Sequence, residues 1–238
     1  MRSILIILLL ALPLVGGAQG FAVVELFTSQ GCSSCPAADK NLSQLLMESR
    51  DNGKAVFALS FHVDYWNHLG WKDPYSRKEF TKRQETYGGV MNLRSVYTPQ
   101  MIVNGVTEFV GSDLAKAKNA VEAALRDEPT FKLQITNLTV ERGVVSFDYT
   151  HNKDFMDPPF VNAAIVTKQI GNLVPNGGDK GKTLHHDNVV IAFKTVVLKK
   201  KDHLSISVPL GFENASELIL YAQGGQLEII GATSQRLK

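Results

Sequence analysis

The stretch FTSQGCSSCPAAD, residues 27–39, holds the two cysteines of the chain, Cys32 and Cys35. A dithiol at this spacing can close a small disulfide ring, hold a soft metal ion, or exchange electrons with another disulfide. A strand is expected to run into Thr28, and a helix to start around Cys35 and Pro36. Proline suits a first helical turn, where its missing N–H is no loss. Cys32 then lies at or just before the helix N-terminus, where unpaired backbone donors and the positive end of the helix dipole lower a thiol's pKa. Cys35 follows closely enough to attack a mixed disulfide on Cys32. As a structural clip the pair is weak, because so short a loop restrains little chain. As a metal site it needs a further ligand, with His62 or His68 the candidates and Cu(I) or Zn the fitting ions. No second cysteine pair completes such a site.

Other polar residues cluster at expected strand ends. Glu25 stands in an otherwise apolar strand, seven residues before Cys32. Buried behind the cysteines, it would take the proton from Cys35; on a solvated face it would do nothing of the kind. Residues 61–88 gather His62, Asp64, Tyr65, Trp66, Asn67, His68, Trp71 and Asp73 just beyond a strand, where open α/β sheets place their working groups. Both tryptophans of the chain fall here. Aromatic surface with hydrogen-bonding edges suits a groove for a peptide or protein, and Tyr65, Trp66 and Trp71 are the candidate contacts. It suits a plain helical subdomain equally well. His62 and Asp64 stand two apart, so a continuing strand would turn both to one side. Thr98 precedes Pro99 at the start of a strand, and a cis bond there would set the Thr98 backbone beside the cysteines, free to pair with an extended substrate. Late in the chain His185 and His186 form a polar cluster with Asp187 and Asn188. A histidine there could deprotonate a thiol or join a metal site, or simply belong to a turn. The preceding NGGDKGKT reads as a flexible loop able to fold over the cysteines.

The elements that must position these residues differ between the two halves. From 20 to 128, short apolar runs alternate with helical stretches: FAVVELF, PAADKNLSQLLMES, AVFALSFHV, QMIVNG, VTEFVG and DLAKAKNAVEAALRD read as strand, helix, strand, strand, strand and helix. That is a compact α/β unit, and the stretch near 66–90 is an inserted helical region. From 129 to 238 the chain is nearly all strand, with six or seven short antiparallel strands that suggest a β-sandwich. Ahead of both, residues 1–19 carry Arg2, an apolar run broken by Pro13, and small residues before Gln19, which is the layout of a signal peptide. The run is short for a membrane span, so no stable anchor is expected after cleavage. A net charge of +2 over 238 residues, without a sustained basic run, argues against a nucleic-acid partner.

Taken together, LFTSQGCSSCPAAD, FHVDYWNHLGWKDPYS, RQETY and YTPQMIVNG resemble a family of secreted bacterial thioredoxin-like proteins of unknown function, family 1223. GKTLHHDNVV at 181–190 looks like that family's C-terminal signature, so the resemblance spans nearly all of the chain beyond the leader. It implies an α/β thioredoxin-like domain followed by an all-β sandwich-like domain. By analogy with thioredoxin-like oxidoreductases, it casts Cys32 as the attacking cysteine, Cys35 as the resolving one, Pro99 as the cis-proline and Glu25 as the buried acid. Two departures stand out. Glu25 is one residue further from the first cysteine than the usual spacing, and Gly31 stands where a tryptophan is usual, with Ser33 and Ser34 between the cysteines. The implied function is thiol–disulfide exchange in the periplasm or outside the cell. It would involve protein or peptide substrates and an unidentified redox partner, and needs no nucleotide, flavin or other cofactor. A metallochaperone using the cysteine pair, or a binding module with a structural disulfide, is the alternative.

Overall fold

The computed structural model describes residues 20–211 and 214–237; the expected leader, 1–19, lies outside them. Strand β1 (Phe21–Thr28) is parallel to β2 (Ala55–His62) and antiparallel to β3 (Gln100–Val103), which pairs in turn with β4 (Thr107–Val110). The sheet order is β2-β1-β3-β4. Because side chains alternate along a strand, Ala22, Val24 and Leu26 face one side, and Val23 and Phe27 the other. Helices α1 (Pro36–Asp51) and α3 (Leu114–Ala124) cover the first side through Leu42, Leu45, Leu46, Ala117 and Val121. Asp113 starts α3 by accepting the Lys116 backbone N–H at 3.0 Å. Helix α2 (Lys78–Val90) contributes Phe80 and Tyr87 to the second side.

The rest of the described chain is strand. β7 (Phe160–Thr167), β10 (Val190–Val197), β12 (Ala215–Gln223) and β13 (Ile229–Arg236) form one sheet in the order β10-β7-β12-β13. β5 (Leu133–Glu141), β6 (Val144–His151) and β11 (Lys201–Ser207) form another, in the order β11-β6-β5. The short strands β8 (Ile170–Leu173) and β9 (Thr183–His186) make a separate hairpin. This hairpin corrects the expectation of a turn at His185 and His186, while 174–182 between its strands is loop, as expected for most of NGGDKGKT. Its strands are four residues each, too short to show a period.

Packing stacks these pieces in layers: α1 and α3, the first sheet, the β7-containing sheet, and the β6-containing sheet. Val161, Ala163 and Ile165 of β7 join Phe147 and Tyr149 in one core. Ala164 and Val166 of the same strand join Phe27, Phe61 and Tyr87 in another. β12 divides in the same way, with Leu218 and Leu220 on one side and Ile219 and Tyr221 on the other. Burial of each Val, Ile or Phe side chain in that second core is worth about 1.5–3 kcal/mol, so the seam between the halves is itself a core. Arg83 of α2 pins it. Its guanidinium donates to Glu25 Oε1 at 2.6 Å and to the Tyr221 hydroxyl at 3.0 Å, with the rings of Phe61, Tyr87, Phe193 and Tyr221 around it. The open edge of β2 is closed by the later chain: Ser60 N–H donates to Asn188 O at 2.9 Å, and Asn188 Nδ2 donates to Ala58 O at 3.0 Å.

Candidate functional site

β1 delivers the chain to Thr28, and a tight turn carries it to α1. Cys32 N–H donates to Ser29 O at 3.2 Å and Cys35 N–H to Cys32 O at 3.0 Å, while Ala38 and Asp39 N–H both donate to Cys35 O. Cys35 is thus the N-cap of α1, with Pro36 following at the first position. The cysteines form a disulfide with Cα atoms 5.4 Å apart. Both are fully buried, whereas Ser33 and Ser34 between them are exposed. A side chain at Gly31 would place its Cβ 3.0 Å from Trp66 Cβ, so the insert presses directly on the turn.

The Thr98–Pro99 peptide is cis. The Thr98 hydroxyl donates to Cys32 Sγ at 3.2 Å and accepts from Trp66 Nε1 at 2.7 Å. Thr98 and Trp66 therefore meet at the Cys32 sulfur. Tyr65 stands one step back, its hydroxyl donating to Gln84 Oε1 at 3.2 Å, and burial pushes its pKa up. Gln84 in turn donates to Tyr97 O and Gln100 Oε1, both at 2.7 Å, fixing the strand that carries Pro99. Trp71 points to the other side of the turn, donating from Nε1 to Gln30 Oε1 at 3.1 Å.

The β8–β9 hairpin lies over this turn. Gln30 and Asn172 exchange amide hydrogen bonds of 2.6 and 2.8 Å, latching β8 to the residues just ahead of Cys32. At the tip, a Cβ on Gly178 would sit 3.2 Å from Gly31 O and 3.4 Å from Ser33 Cβ, and one on Gly177 would sit 3.6 Å from Trp71 Cβ. Backbone this close to the cysteine turn leaves little room for a side chain at 178, while Gly177 takes a φ of 88° that favours glycine.

Beneath the turn lie two buried imidazole–carboxylate pairs. His62, at the end of β2, places Nδ1 2.7 Å from Asp73 Oδ2, and the same carboxylate accepts Gln30 N–H at 2.8 Å and, through Oδ1, Tyr75 N–H at 3.0 Å. Burial alone would raise the Asp73 pKa, but His62 and these donors hold it below the ordinary carboxylate value. His186, at the end of β9, places Nδ1 3.4 Å from Asp39 Oδ1 of α1. That is ion-pair distance without hydrogen-bond alignment, and each of the two atoms lacks a hydrogen-bond partner. Burial pulls the His186 pKa down; Asp39 first, then Asp73 and Asp187, outweigh it and hold it above its ordinary value. The imidazoles of His62 and His186 cross edge-on, centroids 4.7 Å apart.

Several sequence expectations are corrected. Glu25 is buried, but on the face of β1 opposite α1, together with Val23 and Phe27, and its carboxylate is held by Arg83 and Tyr221. Its place on β1, in step with Val23 and Phe27 rather than with Val24 and Leu26, turns it away from α1, so it is not placed to take a proton from Cys35. Asp64 does not pair with His62. β2 ends at His62, and Asp64 accepts from the Thr81 hydroxyl of α2 at 2.6 Å. His185 is exposed, on the opposite face of β9 from His186. The alternative ligand set of Cys32, Cys35 and His62 does not come together: among the described residues no group of three or more His, Cys, Asp or Glu side chains is arranged to hold a metal ion.

Residues 23–223 match the family model described as "Protein of unknown function (DUF1223)". The chain belongs to this family. A search of curated proteins returns no match. Among solved structures, the fold is similar to the crystal structure of a structural-genomics target protein from Agrobacterium tumefaciens, at 27% identity and a TM-score of 0.66, over 91% of this chain and 93% of that one. In this DUF1223 protein, three site residues escape a reading of the sequence alone: Gln30, Asp39 and Asn172. Only Asp39 left a signal, since four residues after Cys35 on a helix is one turn along the same face.

Proposed function

We propose that this DUF1223 protein is an extracytoplasmic thiol–disulfide oxidoreductase of thioredoxin-like fold. It would exchange disulfides with protein or peptide substrates through Cys32 and Cys35. The fold reading is supported by the parallel β1–β2 pair, the antiparallel β3–β4 pair, and α1 leading directly out of the cysteine turn. The location is supported by the leader-like residues 1–19 and by a disulfide, a bond that persists in oxidising compartments. Among the described residues no helix is long and apolar enough to cross a membrane.

One observation carries the activity: the Cys32–Cys35 bond sits at a helix N-terminus with the Thr98 hydroxyl aimed at Cys32 Sγ. In the reduced protein that hydroxyl and the helix dipole favour the Cys32 thiolate. The thiolate attacks a substrate disulfide, forming a Cys32–substrate bond and releasing one substrate thiolate. Cys35 then attacks Cys32, closes the ring and releases the second. Reverse flow oxidises a substrate dithiol. Thr98 and Trp66 border the reacting sulfur and are the proposed substrate contacts, with Trp71 and Tyr65 shaping the surroundings.

The test is equilibration in graded glutathione buffers, acid quenching, alkylation and counting of free thiols by mass. A reversible two-electron transition is expected. A potential near about −120 mV would mark an oxidant, about −180 mV an isomerase and about −270 mV a reductant. The complete burial of both cysteines favours one second reading, an inert clip. A pair that never exchanges in these buffers would establish that reading and overturn the oxidoreductase.

A further inference from the structure

Resolution of the mixed disulfide requires Cys35 to lose a proton in a buried place, and Glu25 faces the wrong way to take it. The nearest carboxylate by chain geometry is Asp39. Cys35 has helical backbone angles, and Asp39 N–H donates to its carbonyl at 3.1 Å. The two are therefore i and i+4 neighbours with Cβ atoms about 5–6 Å apart. Asp39 is 4% exposed, accepts the Thr28 hydroxyl at Oδ2 at 3.3 Å, and leaves Oδ1 without a hydrogen bond. Nδ1 of His186, also unpartnered, faces that oxygen. An ionisable pair with free polar atoms, sealed beside a dithiol, is costly to fold around unless it has work to do.

We propose that Asp39 accepts the Cys35 proton during resolution and that His186, brought from the β8–β9 hairpin, is the residue that positions and charge-balances Asp39. The inference rests on the oxidoreductase reading above. In the step, the Cys35 S–H proton passes to Asp39, the Cys35 thiolate attacks Cys32 Sγ, the Cys32–Cys35 bond forms, and the bond from Cys32 to the substrate breaks. The electron pair leaves with the substrate thiolate. Gln30 lies against the other end of the ring, its amide nitrogen 3.4 Å from His186 Nε2. A pocket of about 360 Å³ between α1 and β9, lined in part by Pro36, Asp39, Lys40 and His185, borders Asp39 and marks the side by which the proton would leave. The other titratable groups facing His186 are His62 from β2, Asp73 from the segment before α2, and Asp187 from its own strand end. Asp39 thus has the imidazole on one side and the Thr28 hydroxyl on the other.

The test isolates resolution. Reduced protein is allowed to form a mixed disulfide with dithiobis-nitrobenzoate at acid pH, then jumped to a series of higher pH values while release of the coloured thiolate is followed by stopped flow. Cys35→Ser must retain the adduct. An unassisted thiol of pKa about 8.5 is only about 3% ionised at pH 7, so Asp39→Asn is expected to release about 30-fold more slowly there, with its midpoint displaced toward that value. His186→Asn is expected to move the midpoint the same way by less. Wild-type and variant profiles that superimpose would overturn the relay while leaving the oxidoreductase intact. A wild-type protein that forms no adduct, or never resolves it, would instead sink the oxidoreductase. If Asp39→Asn does not fold by circular dichroism, the His186→Asn profile decides alone.

Discussion

Side-chain parity decides what each polar residue of β1 can do. Glu25 and Leu26 are adjacent, yet one reaches Arg83 and the other packs under α1. Position along β1 therefore predicts the face better than the residue type does. His186 is set by the same rule on β9, turned inward while His185 is turned out. Its charge gives a measurable consequence for stability. The folded-state pKa lies above the ordinary histidine value of about 6.5. The resulting stabilisation is full below about pH 6.5 and is lost as pH rises through the folded value. Asp73 works in the opposite sense. Its folded pKa is depressed, so its contribution is present above about pH 3.9 and disappears as pH falls through the folded value. Urea unfolding of the oxidised protein should therefore show these two contributions together between about pH 4 and 6.5. The alkaline decline should flatten in His186→Asn; an alkaline limb identical in wild type and variant would show that His186 carries no charge in the folded state.

At the scale of elements, the long apolar and alternating runs were legible in the sequence, and so was the helix that follows the cysteines. The strands read as FAVVELF and AVFALSFHV, 21–27 and 55–63, appear with one end of each shifted by a residue. What could not be read was the hairpin that covers the site. IGNL and TLHH are too short for a periodic signal, and their pairing across the 174–182 loop depends on contacts with α1 and the cysteine turn. The partners of the buried histidines were hidden for the same reason: Asp73 comes from a loop and Asp39 from another layer. The hairpin's hold is specific enough to test. Each amide hydrogen bond between Gln30 and Asn172 contributes about 0.5–1.5 kcal/mol. Asn172→Ala should then raise the open population, and with it the alkylation rate of Cys32 in the reduced protein, by about tenfold. No change in that rate would mean that reagents reach the sulfur by a path the hairpin does not cover.

Across the whole molecule the two halves of the chain share a core rather than a surface contact. Arg83 is its most exacting member. Its side chain is nearly buried, and burial that would lower its pKa is overcome by Glu25 and the surrounding tyrosines. Removing one partner of such a pair strands the other charge. Arg83→Met is expected to cost about 3–5 kcal/mol in urea unfolding, while Arg83→Met combined with Glu25→Leu should recover most of the loss. A cost below about 1 kcal/mol for the single variant would place the pair among the weak surface bridges instead.

The alternation of β7 makes that strand an address system. Ala163 and Ala164 are both buried and adjacent in sequence, but they report to different neighbourhoods: the first to the core between the β7- and β6-containing sheets, the second to the core that supports Phe61 and the end of β2. Small changes in side-chain volume at successive positions would therefore be delivered alternately, one to the core shared with Phe147 and Tyr149 and the next to the core shared with Phe27 and Phe61, on the face of β2 opposite His62. Sequence drift along this strand is free to retune the two cores separately, one parity at a time.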